Sequence, residues 1–300
     1  MSEWMQFKTH CLASEASAIE DCLLELGAVA VTLQDVQDIP IFEPDLGTTP
    51  LWPNTQVTGL FSAEYSSEAL KTEFYQLWPT EPPLPIHCEL LEDKDWAHCW
   101  MDHYHPLKFG PDFWVVPSWL APPEPNAPYI LLDPGLAFGT GTHETTALCL
   151  EWLSQQPLHN STLIDYGCGS GILAVAGLKL GCQTAYGIDI DPQALLASQQ
   201  NAQLNHVSLH TLMPEQLPAE LCCDYLIANI LYGPLLALAP TLAQHLLPGG
   251  RIALSGLLKE QAETIRHTYQ SWFILDLEWH RNDWCLLSGT RRITTMIDDL

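Results

Sequence analysis

Residues 163–171 read Leu-Ile-Asp-Tyr-Gly-Cys-Gly-Ser-Gly and run straight into the apolar stretch Ile172 to Leu180. A strand, three alternate glycines and a helix, in that order, leave a chain few folds to choose from. Glycine lets the backbone turn sharply and lets a ligand approach to a distance at which a Cβ would collide. The helix that opens beside the loop adds inward-facing N–H donors. Asp189 closes the next apolar run, 22 residues beyond Gly167, where a carboxylate can accept both hydroxyls of a ribose. Gly167, Gly169 and Asp189 are therefore expected to hold a nucleoside-bearing cofactor.

The spacing narrows the choice of cofactor. A dinucleotide fingerprint needs a small residue where Ile172 stands. Three glycines at alternate positions suit an S-adenosyl-L-methionine-dependent methyltransferase better than an NAD-dependent oxidoreductase, which remains the alternative reaction class. Asp191 precedes Pro192 and reads as the N-cap of the next helix. Cys168, inside the loop, reads as a small packed side chain. The run Leu226-Ile227-Ala228-Asn229 ends a further strand. Asn229 is thereby directed into the crevice where open α/β sheets bind ligands.

From Tyr129 onward, strands alternate with helices, which implies a largely parallel sheet. Strands are expected at 162–166, 185–189, 207–211, 224–229, 251–255, 273–279 and 284–289, the last two as an antiparallel hairpin. The earlier part has a different order. Strands at 4–10, 29–36, 56–62 and 86–91 enclose two helices, one capped by Ser14 and one starting at Ser67. That βαββαβ order suggests a ferredoxin-like α+β sandwich. The expected division is a domain at 1–95, a proline-rich linker at 96–128 and a Rossmann-like seven-stranded domain at 129–300.

Charge bears on partners. The chain carries 36 acidic residues against 11 lysines and arginines, a net −25. Residues 1–120 hold 4 basic and 19 acidic side chains, a net −15 in the shorter part. Such a surface repels phosphate backbones, which disfavours direct nucleic-acid binding, and attracts basic proteins. No signal-peptide pattern or membrane-length apolar run is present, so the reading is a cytoplasmic protein without membrane association. Ten scattered cysteines lack a C-x-x-C pair and twelve histidines form no ligand pattern, so no metal is expected.

Ahead of the first strand of the second half lies Leu131-Leu132-Asp133-Pro134-Gly135-Leu136-Ala137-Phe138-Gly139-Thr140-Gly141-Thr142-His143-Glu144-Thr145-Thr146. Its glycines and threonines read as a loop folding over the cofactor, with Thr142 capping a helix and Thr146 in its first turn. His143 could serve as a base or as an orienting or capping group. Together with 163–181, Gly187 to Leu195 and Ala228 to Leu231, this segment resembles the PrmA-type ribosomal protein methyltransferases, which modify protein eleven of the large subunit. The resemblance extends more loosely to 42–44 and 91–96. It implies S-adenosyl-L-methionine as cofactor, held by Thr146, Gly167, Asp189 and Asn229. It also implies a ferredoxin-like domain that holds a basic ribosomal protein and a catalytic domain that methylates lysine ε-amino and N-terminal α-amino groups. Glu144 departs from the family's usual proline, and the tail from Arg291 runs past the usual end. Asn229 is the expected catalytic residue, aligning the amine by accepting its N–H bonds, with no dedicated base. The enzyme is expected to act as a monomer.

Overall fold

The computed structural model describes residues 4–37, 41, 48–91, 104–133 and 143–293, which form two compact units, Met1–Asp102 and His103–Leu300. In the first unit the strands are β1 (Trp4–Leu12), β2 (Ala30–Asp35), β3 (Asn54–Ser62) and β4 (Ile86–Leu91), with helices α1 (Ala13–Glu25) and α2 (Ser67–Leu77). Every pairing is antiparallel and the sheet order is β2-β3-β1-β4. Alternation in β1 buries Met5, Phe7, Thr9 and Cys11, and these meet Ile19 and Leu23 of α1 and Leu70 and Phe74 of α2. The first helix begins two residues earlier than a Ser14 cap would allow. Its N-cap is Leu12, whose N–H is held by Glu15 at 3.0 Å.

The second unit holds a mixed seven-stranded sheet in the order β10-β9-β8-β11-β12-β14-β13. Its strands are β8 (Thr162–Tyr166), β9 (Thr184–Ile188), β10 (His210–Leu212), β11 (Cys223–Asn229), β12 (Leu246–Leu258), β13 (Phe273–Arg281) and β14 (Trp284–Arg291). Five strands run parallel, and β14 inserts antiparallel between β12 and β13. All seven expected strands are present, and the last two pair as a hairpin. Helices α3 (Glu144–Ser154), α4 (Ile172–Lys179) and α5 (Pro192–Leu204) are joined further on by α6 (Tyr232–Gln244) and α7 (Ala262–Tyr269). One apolar layer joins Leu163, Ile227 and Ala253 to α3 and α4, and the other joins Ile164, Leu226 and Leu254 to α6 and α7.

Residues 107–131, read mostly as connector, form a small sheet of β5 (Leu107–Phe109), β6 (Phe113–Val116) and β7 (Tyr129–Leu131) within the second unit. Phe109, Phe113 and Ile130 from it enter the layer beside α3 and α4. Buried Asn205, the C-cap of α5, clamps β7: its side chain accepts from the Leu131 N–H and donates to the Leu131 carbonyl, each at 2.7 Å. Among the described residues, no helix is long and apolar enough to cross a membrane.

Candidate cofactor and methyl-transfer site

The carboxyl ends of β8, β9 and β11 define the site. Past β8 the chain turns through Gly167, Gly169 and Gly171 at φ of 80°, 52° and 73°, a region that side chains with a Cβ enter at a cost. The N–H groups of Gly167 and Cys168 both donate to the Ile188 carbonyl, at 2.7 and 3.0 Å, which pins the loop to β9. A Cβ at Gly167 would collide with the Ile230 side chain, so β11 and the loop meet only because the residue is glycine.

Asp189 lies one residue past β9, as the sequence implies. One carboxylate oxygen accepts the Gly169 N–H at 2.9 Å and the other accepts the Asp191 N–H at 3.0 Å. The acid thus aims at the loop and is held there by two backbone donors. Asp191 caps α5 through the Gln193 N–H at 2.8 Å, as expected. Fully buried Ser198 donates to the Gly169 carbonyl at 2.9 Å, and Asn201 donates to that of Ser170 at 2.8 Å, so α5 supports the loop from beneath. The Cys168 thiol lies 3.3 Å from the Ser198 hydroxyl, and burial pushes its ionisation up, as for a packed side chain and not a nucleophile.

Gly171 gives a direct test of this support. A Cβ there would lie 2.7 Å from the Ser198 hydroxyl and 3.0 Å from its Cα. Adding left-handed strain to overpacking, Gly171→Ala should lower unfolding free energy by about 2–4 kcal/mol. Urea denaturation checks this; a loss below about 1 kcal/mol would show that α5 shifts freely.

Asn229 ends β11, and its amide donates to the Thr146 hydroxyl at 3.3 Å. With Nδ2 committed there, Oδ1 is the acceptor. Thr146, in the first turn of α3, is 3% exposed and is brought to Asn229 across 83 residues of sequence. Thr142 lies outside the described residues, as does the loop from 134, and the N-cap of α3 is His143. The His143 ring nitrogen accepts the Thr145 N–H at 3.3 Å, and the ring packs edge-on against Trp284, 5.0 Å between centroids. Of the readings open for His143, capping is the one this geometry fills. Glu144 is the first helical residue, a position that suits proline as well as an acid. Its carboxylate accepts from Asn282 at 3.1 Å, which anchors the helix start to the β13–β14 turn. Its own backbone N–H and Asn282 hold that carboxyl below the usual range.

Asp165 was not singled out by its sequence context. It precedes Gly167 by two residues and is 1% exposed. Its Oδ2 accepts the Ala174 N–H at 3.1 Å, while Oδ1 is buried without a hydrogen-bond partner among the described residues. Burial pushes the carboxyl up to about 7; the Ala174 bond opposes this and the Asp189 charge adds to it. Ile190, directly after Asp189, was also overlooked. At 78% it is the most exposed large apolar side chain among the described residues, and it stands at the rim of the site.

The chemistry on offer is that of a nucleoside cofactor site beside a polar acceptor. Ile172, the first residue of α4, is buried at 3%, where a dinucleotide loop would need a small side chain. Among the described residues, no group of three or more His, Cys, Asp or Glu side chains could hold a metal.

The likeness to known proteins agrees with this geometry. The family model described as ribosomal protein L11 methyltransferase (PrmA) matches residues 3–292. A ribosomal protein L11 methyltransferase of Hahella chejuensis is 51% identical over 290 residues, covering 96% of this chain and 98% of the relative. One of Azotobacter vinelandii is 51% identical over 293 residues, covering 96% and 99%. A crystal structure of ribosomal protein L11 methylase from Lactobacillus delbrueckii subsp. bulgaricus is 31% identical with a TM-score of 0.57, covering 63% of this chain and all of that one. With a family model and relatives matched over nearly their whole length, the chain belongs to the family of ribosomal protein L11 methyltransferases (PrmA).

Proposed function

We propose that this protein transfers methyl groups from S-adenosyl-L-methionine to lysine ε-amino and N-terminal α-amino groups of ribosomal protein L11. The observation that carries the reading is the Asn229–Thr146 pair facing the glycine loop that Asp189 holds. The positions where a Cβ would collide and the carboxylate aimed at the loop suit a nucleoside with a free ribose. Gly167 and Gly169 would line the cofactor and Asp189 would accept from its ribose. Ile190 would offer an apolar face to its base, and Thr146 and Asn229 would border its reactive end. When bound, the cofactor supplies an electrophilic methyl group on a sulfonium.

The rest is positioning. An incoming amine must be neutral, and a free lysine titrates near 10.4, so the apolar crevice helps by disfavouring the ammonium. Asn229 Oδ1 accepts an amine N–H and so aims the lone pair, an alignment of the kind worth up to about 7–11 kcal/mol. No side chain is required as a base.

The antiparallel order of the first unit supports a ferredoxin-like domain that docks the substrate, and the small sheet from Leu107 joins the methyltransferase unit instead of the linker expected at 96–128. The acidic balance of that unit suits a basic ribosomal protein and disfavours nucleic acid. A ribosomal substrate would be met in the cytoplasm, where the enzyme is proposed to act as a monomer.

Mass spectrometry of ribosomal proteins incubated with the enzyme and S-adenosyl-L-methionine tests the reading: methyl groups should appear on amines of L11. Modification confined to other proteins would redirect it. At the cofactor, Asp189→Ala removes charge-assisted hydrogen bonds worth about 1.5–3 kcal/mol each. Affinity for S-adenosyl-L-methionine should fall at least tenfold by calorimetry, and an unchanged affinity would place the ribose elsewhere. NAD binding by the native protein would overturn the cofactor assignment.

A further inference from the structure

The buried carboxylate of Asp165 is the group the mechanism above leaves unused. It pairs in register with Ile227 on β11, two residues before Asn229. Alternate residues of neighbouring parallel strands share a face, so Asp165 and Asn229 look toward the same helical layer. Cys149, three residues along α3 from Thr146, lies close enough to Asp165 to sense its charge. An Asp165–Cys149 layer therefore underlies the Asn229–Thr146 layer, with the two strand residues about 8 Å apart by strand spacing. The titratable groups facing Asp165 are Cys149 from α3, Cys168 from the loop and Asp189 beyond β9. From α4 it meets only the Ala174 N–H, and no cationic side chain among the described residues acts on it. One oxygen has no hydrogen-bond partner among the described residues.

We propose that Asp165 is the positioning residue by which the site tells the cationic methyl donor from its neutral-sulfur product. The carboxyl is protonated while no positive charge lies above it; when a sulfonium does, it ionises and its proton leaves to solvent. This rests on the cofactor reading above. A donor would be favoured over S-adenosylhomocysteine by the attraction between sulfonium and carboxylate, and that preference would grow with pH. Product, unable to hold the ionised form, would be released more readily. The buried position of the group, whose carboxyl burial pushes up to about 7, suits such an exchange.

Calorimetry on the full-length protein at pH 7, in two buffers of different ionisation enthalpy, counts protons released by each ligand. S-adenosyl-L-methionine should release more than S-adenosylhomocysteine, and the affinity ratio should rise about tenfold from pH 6 to pH 8. Asp165→Asn can keep the Ala174 bond but has no proton to give, so both differences should vanish. A purely structural Asp165 predicts the same proton counts in the variant as in the native protein, which would overturn the proposal. A second measurement needs no variant: the infrared band of a buried protonated carboxyl should be lost with the donor and kept with the product. Its persistence in both complexes would overturn the proposal equally. Failure of either ligand to bind would overturn the cofactor reading itself, and this inference with it.

Discussion

An enzyme lacking residues 1–102 binds S-adenosyl-L-methionine with native affinity and loses methylation of L11 by about 10²–10³-fold in kcat/KM. The two halves of this expectation have separate causes. Gly167, Asp189, Asn229 and Thr146 and both apolar layers around them lie in the second unit, so its fold and cofactor site do not depend on the removed strands. Residues 1–102 carry 18 acidic side chains against 3 lysines. Lys8 is already paired with Glu89 and Lys71 with Glu68, so the remaining acids are left to attract. Ribosomal proteins are basic, and steered encounters exceed unsteered ones by about the factor given. The full-length rate should therefore fall as salt rises, since the attraction reaches only about 8 Å at physiological ionic strength. A domain serving only solubility predicts neither effect. A truncated enzyme that binds cofactor and methylates L11 at full rate would sink the docking role.

Asn229→Ala should lower kcat about a hundredfold while S-adenosyl-L-methionine affinity stays within about threefold. The side chain donates to Thr146 and, in the proposed mechanism, would offer its carbonyl to the amine, so the loss should fall on alignment. Equal losses in rate and affinity would move Asn229 to the cofactor. Asn229→Asp keeps the shape but brings a charge. A carboxylate beside the amine favours the ammonium and raises its pKa, so the residual activity should shift to higher pH. A pH–rate profile unchanged in shape would mean that Asn229 does not face the amine.

Much of this was legible from residue order. The glycine turn, the place of Asp189 at the end of β9 and the Asp191 cap each rest on local chemistry within a few residues, and the structure shows that turn, that place and that cap. The succession of strands along the chain in both units followed from hydrophobic period and alternation. What escaped was set by distant partners. Ser14 has the right side chain for a cap, but Pro53 O already receives the Ala13 N–H and Glu15 serves Leu12, so the helix starts earlier. The strands of 107–131 are short and proline-flanked, and they became a sheet only because Asn205 and the α3–α4 layer gave them partners. Asp165 looks like any acid at a strand end. Its significance is an oxygen without a partner, which only packing can create.

The insertion of β14 between β12 and β13 orders the birth of the molecule. Chains emerge from the ribosome amino end first and fold domain by domain. The sheet of the first unit is complete once Leu91 is out. The second cannot close in the same stepwise manner. Among the described residues β13 pairs only with β14, and β12 keeps an open edge until Trp284–Arg291 arrives. A nascent chain that has passed Leu258 therefore presents an unpaired, apolar strand edge until β14 follows, the kind of edge that invites association with other chains. Any truncation that removes β14 frees β13 with it. Because Asn282 donates to Glu144 and Trp284 packs on His143, the start of the helix bearing Thr146 gains those anchors only when the final hairpin docks. The sheet proposed to dock substrate and the proposed catalytic crevice thus mature at well-separated stages of translation.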